Sequence, residues 1–208
     1  MPNNETFHVK PSLREKFEIF VKQAEIYHRT LDLMSDVALS ELEHHIADAL
    51  AYVEEIEATF PDGPILDVGS GVGLPGIILA AAMPERTVVL AERRKKRATF
   101  LDIVKSKLNL ENVMIHRGDV RELNGRVGVI SSQAVGPFKD IYCLTRHLHK
   151  PTVLMISRKS DNWQQELKAL SSVTTVETGE IQIRPLKTNG TLVAVRVPGG
   201  QDCPSSVS

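Results

Sequence analysis

The stretch of this chain best suited to chemistry is Asp67-Val68-Gly69-Ser70-Gly71-Val72-Gly73-Leu74-Pro75-Gly76. It follows the apolar pair Ile65-Leu66, so it reads as a short strand running into a glycine loop. Glycines there let the backbone turn tightly and approach a ligand with no Cβ in the way. Pro75 suits the first turn of a helix that follows. Two acids recur at matching places further on. Glu92 closes the apolar run Thr87–Ala91, and Asp119 comes just after Val113–His116. In a doubly wound sheet these are carboxyl ends of parallel strands, where such sheets bind ligands. A carboxylate at Glu92 can accept from both hydroxyls of a ribose. One at Asp119 can accept from an adenine amino group.

Together these residues predict a nucleoside cofactor rather than a loop that merely turns. NAD satisfies the glycine run and Glu92 as well, but its pyrophosphate needs an open helix N-terminus. S-adenosylmethionine has no phosphate and carries a sulfonium cation, which acidic Asp67 suits better. S-adenosylmethionine is therefore the preferred cofactor and NAD the rival, with Asp67, Gly69, Ser70, Gly71, Gly73, Glu92 and Asp119 as candidate contacts.

Further groups surround this set. Arg93-Arg94-Lys95-Lys96-Arg97 directly follows Glu92. It is either a phosphate-contacting face for RNA, led by Arg93 and Arg94, or a solvated helix face. Lys159, with Arg158, ends a fifth apolar run and is a candidate substrate contact. His44 and His45 share a predicted helix with Asp48, but no further ligands complete a metal site, so a docking role for His45 and Asp48 is expected. His147 and His149 fall on different faces of another predicted helix, and Trp163 is expected to pack. Cys143 and Cys203, the only cysteines, suggest neither a disulfide framework nor zinc.

The elements that must position these groups follow from the hydrophobic pattern. Helical spacing covers 12–28, with Ser12 as N-cap and Glu15 three residues on, and again 36–57. Phe60-Pro61-Asp62-Gly63-Pro64 breaks the chain. Strands at 65–68, 87–91, 113–116, 127–131 and 153–156 then alternate with helices at 75–83 and 94–108, a loop and helix at 137–149, and a short helix at 163–170. Alternation implies a mostly parallel sheet. The helix-free end, with β-rich runs at 173–176, 180–183 and 192–197, implies a closing antiparallel hairpin. The expectation is an α/β, Rossmann-like fold of the class I methyltransferase kind, seven-stranded with a reversed last strand, plus N-terminal helices. Its parts are a helical extension at 1–60, a core at 61–198 and a disordered tail at 199–208.

The 208 residues suffice for one α/β domain with an extension. The net charge of −1 hides an asymmetry: residues 1–60 hold twelve Asp/Glu against five Lys/Arg, whereas 85–126 hold six against eleven. The latter is the better nucleic-acid face. No apolar run is long enough for a membrane span, and no secretion signal opens the chain. A cytoplasmic monomer is expected.

At these residues the chain resembles the ribosomal RNA small-subunit methyltransferase G family, also called glucose-inhibited division protein B. The resemblance rests on His45-Ile46-Ala47-Asp48-Ala49-Leu50, on the glycine loop with its Leu74-Pro75-Gly76 extension, on Lys96–Leu101 and on Leu108–Val113. It implies a methyltransferase acting on ring nitrogen 7 of a guanine in 16S ribosomal RNA, with the small ribosomal subunit or its RNA as partner. It also implies cofactor contacts at Gly69, Leu74, Val120, Arg121 and Gln133. The chain departs from the family at three cationic positions, where Asp119, Gln133 and Gly190 stand. Those departures leave open another RNA or a small molecule as substrate, or a non-catalytic cofactor- or RNA-binding protein. Nitrogen 7 has an in-plane lone pair and no hydrogen to lose, so its methylation requires alignment rather than a general base. Gln133 is the candidate catalytic residue, positioning the target base, unless it is simply a polar strand end.

Overall fold

The computed structural model describes residues 10–59 and 63–200. Most of the predicted chain break and of the predicted tail, with Cys203, lies outside them. Three helices come first: α1 (Pro11–Tyr27), α2 (Asp36–Ser40) and α3 (Leu42–Thr59). The alternating part follows as β1 (Ile65–Val68), α4 (Gly76–Ala82), β2 (Val88–Ala91), α5 (Lys95–Lys107), β3 (Val113–His116), β4 (Val127–Gln133), α6 (Phe138–Thr145), β5 (His149–Lys159) and α7 (Trp163–Leu170). It closes with β6 (Ile181–Pro185) and β7 (Thr191–Pro198).

The seven strands form one sheet in the order β3-β2-β1-β4-β5-β7-β6. β7 alone runs against its neighbours, antiparallel to both β5 and β6. The order reverses beside β1, so the carboxyl ends of β1 and β4 flank the crevice where such sheets take ligands. Successive residues of a strand face opposite sides, and the core divides accordingly. Ile65, Val129, Leu154 and Ile156 join α1, α3, α4 and α5 on one face. Leu66, Ile130, Val153 and Met155 join α6 and α7 on the other. The first three helices therefore cover the sheet beside α4, with Phe17, Phe20, Ile46 and Tyr52 fully buried there.

Several local expectations need correction. Pro11 at the first helical position starts α1, and Ser12 lies inside its first turn rather than capping it. The predicted 36–57 helix is two helices, because Ser35 caps α2 through the Ala38 amide at 3.2 Å and the chain turns at Glu41. No strand forms at 173–176. His149 opens β5 instead of riding a helix. It is buried, its Nε2 lies 2.9 Å from Thr145 Oγ1, and burial lowers its pKa to about 4. No helix among the described residues is long and apolar enough to cross a membrane.

Candidate functional site

The glycine loop leaves β1 and turns into α4. Gly69, Gly71 and Gly73 all take left-handed φ values of +66°, +58° and +105°, which a Cβ disfavours. Gly73 is also packed tight: a Cβ there would lie 2.5 Å from Ile77 Cγ1 and 3.1 Å from Leu101 Cδ2. Gly69 lies under Val135, whose Cγ2 would be 2.8 Å from an added Cβ. Gly71 is the open position, with Arg97 Nη1 the nearest foreign side-chain atom at 3.7 Å. A ligand can approach the backbone there.

Glu92 is tied to this loop. It leaves the end of β2, and its carboxylate accepts from the Gly71 amide at 2.8 Å and from the Arg94 amide at 2.7 Å. The loop is also held by the Gly69 and Ser70 amides, which both donate to the Ala91 carbonyl. Ser70 is buried and its hydroxyl donates to the Asp67 carbonyl at 3.0 Å. Thus the acid and the glycine it holds, 21 residues apart in sequence, form one piece of structure.

Asp67 occupies a different place from the one its sequence position suggests. It is 1% exposed and lies under the loop, not in it. Register explains its partner: Asp67 pairs with Ser131 across β1 and β4, and the Ser131 hydroxyl donates to Oδ1 at 2.8 Å. Oδ2 abuts Gly76, where a Cβ would come within 2.6 Å of it. Burial pushes the Asp67 pKa up to about 6, with the Ser131 hydroxyl pulling the other way. A carboxylate thus sits at the start of α4, preceded by Pro75, which has no amide hydrogen to offer. A pyrophosphate would meet negative charge and a missing donor at the helix end where a dinucleotide needs the opposite.

Asp119 is likewise occupied. It caps a short turn at Val120–Glu122. Its carboxylate accepts from the Arg121 amide, Nε and Nη2 at 3.0, 2.9 and 2.7 Å, while Arg93 Nη1 stands 3.7 Å away. Arg121 holds its pKa well below the usual carboxylate range. Val120 and Leu74 are buried and pack into the two halves of the core. In the basic run, Arg93, Arg94, Lys95 and Lys96 are exposed, and Arg97 turns inward toward Gly71.

A cavity of about 540 Å³ opens between the ends of β4, β5 and β7. Gln133 and Lys159 line it, with Arg158, Asn189 and the segment Ala134–Pro137 that joins β4 to α6. Ala134 takes a φ of +56°, an uncommon strain for a residue with a Cβ. Lys159 is not a free cation. Its ammonium pairs with Glu166 at 2.7 Å, donates to the Gly136 carbonyl at 2.7 Å and stands 4.4 Å from the Phe138 ring centre. It braces the cavity wall that carries Val135, and Val135 in turn covers Gly69, so Val135 stands between the cavity and the glycine loop.

Sequence reasoning missed Val135, Glu166, Asn189 and Tyr52. Nothing in their spacing singles them out, because each acts through a neighbour brought by another element. It did find the docking role of Asp48 on α3. Asp48 accepts from the Lys187 amide at 3.0 Å and from the Thr188 amide and hydroxyl, holding the β6–β7 turn that presents Asn189. Among the described residues no cluster of His, Cys, Asp and Glu could hold a metal ion.

Comparison with known proteins bears on the family and the fold. A family model described as rRNA small subunit methyltransferase G matches residues 13–192. A ribosomal RNA small subunit methyltransferase G of Erythrobacter litoralis is 31% identical over 159 residues, covering 76% of each chain. That of Streptomyces avermitilis is 33% identical over 171 residues, 76% of this chain and 70% of its own. Among solved structures, the magnesium protoporphyrin IX methyltransferase of Synechocystis PCC 6803 with bound SAM superposes with a TM-score of 0.56 at 14% identity, covering 93% of this chain and all of its own. A SAM-dependent O-methyltransferase of Thermotoga maritima gives 0.55 at 17% identity, covering 76% and 66%. At such identities the two structures speak for the fold alone, but the family model and the curated relatives speak for descent: the chain belongs to the rRNA small subunit methyltransferase G family.

Proposed function

We propose that this chain is a cytoplasmic, monomeric enzyme that transfers a methyl group from S-adenosylmethionine to ring nitrogen 7 of a guanine in 16S ribosomal RNA, within or from the small ribosomal subunit. The observation that carries the reading is the Gly71–Glu92 tie: an open left-handed glycine bonded to a strand-end carboxylate, with a cavity lined by Gln133 at the end of the neighbouring strand β4. The 61–198 core holds both.

The residues fit the cofactor. Gly71 has room above its backbone, Glu92 has lone pairs left for a ribose after serving two amides, and the start of α4 suits no phosphate. S-adenosylmethionine, when bound, supplies an electrophilic methyl group on a sulfonium. The chain's own part is alignment and exclusion of water. Gly69, Ser70, Gly71, Gly73 and Leu74 shape the backbone cradle, with Asp67 fixing it from below. Glu92 orients the nucleoside, and Val120 and Arg121 border the base with Asp119 behind them. Gln133 holds the target guanine by its amide, and no residue is required to remove a proton. The guanine must be unpaired or turned out, since in duplex RNA that nitrogen faces a groove side chains cannot enter. Arg93 and Arg94 contact RNA phosphates. Lys159 contributes by bracing the wall, not by reaching the RNA.

Purified protein incubated with labelled S-adenosylmethionine and small ribosomal subunits tests this. Incorporation into 16S RNA, lost in Gln133→Ala, is expected. Absence of incorporation by the unaltered chain removes the assignment. Unchanged turnover by Gln133→Ala removes Gln133 from it.

A further inference from the structure

The ends of β4 and β5 are joined by a group from outside the sheet. Tyr52, on α3, is completely buried. Its hydroxyl accepts from the Arg158 amide at 2.6 Å and donates to the Ser132 carbonyl at 3.2 Å. The Ser157 hydroxyl donates to that same carbonyl at 2.9 Å. Gln133 and Arg158 form the last β4–β5 pair, and both line the cavity. A single phenol therefore bonds the backbone of one strand immediately before its cavity residue, and of the other strand at its cavity residue.

A buried phenol hydroxyl needs partners, but it need not find them here. Tyr142 solves the same problem far from the cavity, its hydroxyl donating to the Pro198 carbonyl at 2.8 Å. What is particular to Tyr52 is the place of its partners. Beyond Gln133 the chain enters Ala134, in its uncommon left-handed conformation, and then Val135 above Gly69. Small shifts at the ends of β4 and β5 reach both the cavity and the cofactor loop. Alignment-controlled methyl transfer is sensitive to such shifts, since a displacement of about 1 Å costs on the order of 100-fold in rate.

We propose that Tyr52 is a positioning residue for methyl transfer: it spans the β4 and β5 termini and fixes the spacing of Gln133 and Arg158 across the substrate cavity. The inference rests on the reading under Proposed function, and it adds to it a residue of the N-terminal helices.

The test compares Tyr52→Phe with Tyr142→Phe, each losing one buried hydroxyl and keeping its ring. Thermal melting, S-adenosylhomocysteine affinity by calorimetry, and kcat and KM on small ribosomal subunits are measured for both. Both variants lose comparable thermal stability. Tyr52→Phe loses roughly 10- to 100-fold in kcat, with cofactor affinity within about twofold of the unaltered chain, and Tyr142→Phe keeps its kcat. Ser157→Ala, which removes the second donor from the Ser132 carbonyl, gives a smaller fall of the same kind and serves if Tyr52→Phe folds poorly. Wild-type kcat in Tyr52→Phe, or equal kcat losses in the two tyrosine variants, overturns the proposal and leaves the proposed function intact. An unaltered chain that binds cofactor but methylates no 16S RNA overturns both.

Discussion

Replacing Glu92 by glutamine tests the central tie of the site with almost no change in shape. In the native chain one carboxylate receives two backbone amides, from Gly71 at 2.8 Å and Arg94 at 2.7 Å. Hydrogen bonds to a charged group contribute about 1.5–3 kcal/mol each, and leaving a buried donor unsatisfied costs about 1–3 kcal/mol. Glutamine presents one carbonyl oxygen and one NH2 group, so one amide keeps a neutral acceptor and the other faces a donor. The net loss is about 2–4 kcal/mol. For a chain of this size each kcal/mol corresponds to roughly 2–4 °C in Tm, so calorimetric melting should fall by about 5–15 °C. If Glu92 also grips the ribose, S-adenosylhomocysteine affinity falls as well, about tenfold for each 1.4 kcal/mol. A Tm unchanged within about 2 °C would refute the argument that this carboxylate anchors the loop. A large loss of Tm with unaltered cofactor affinity would confine Glu92 to folding the loop.

Asp67 gives a pH signature. Its folded pKa of about 6 lies above the ordinary 3.8, so between those values the native state holds more protons than the unfolded chain, and stability falls as pH rises. Asp67→Asn, which can still accept from Ser131, should raise the Tm at about pH 8 and change it little near pH 4; a gain that is equal at both values contradicts burial as the cause. Removing one partner of the Lys159–Glu166 pair, as in Lys159→Met, strands a buried charge and should cost about 3–5 kcal/mol, whereas Lys159→Met combined with Glu166→Leu should recover most of it in denaturant titrations. Gly73→Ala meets both a left-handed φ and a contact at 2.5 Å with Ile77; overpacking costs about 1–3 kcal/mol and the backbone about 1–2 kcal/mol more, so a melting curve like the parent's would show that the loop can move. Alanine at Arg93 and Arg94 should weaken RNA binding and reduce the slope of log affinity against log salt by about 0.7–0.9 for each phosphate no longer neutralised; an unaltered slope makes the run a solvated face.

The sequence alone determined the sheet's alternation, the bend after Asp67 and the strand-end acids, because these depend on short-range physics. Period-2 and helical spacing mark which residues are buried, and only glycine takes the loop's φ values without strain. Descent was legible too, in the Leu74-Pro75-Gly76 extension and the His45–Leu50 segment of α3. The direction in which each charged group points was settled only by tertiary structure. Asp67 reads as a cofactor acid but register with Ser131 buries it under the loop. Lys159 reads as a cation for substrate but meets Glu166 from α7. Tyr52 reads as one more position on a helix, yet its hydroxyl reaches two strands 80 and 106 residues further along the chain. A side chain's type is local, but its partner is whatever the packed sheet and helices bring within about 3 Å, and no spacing along the chain encodes that distance.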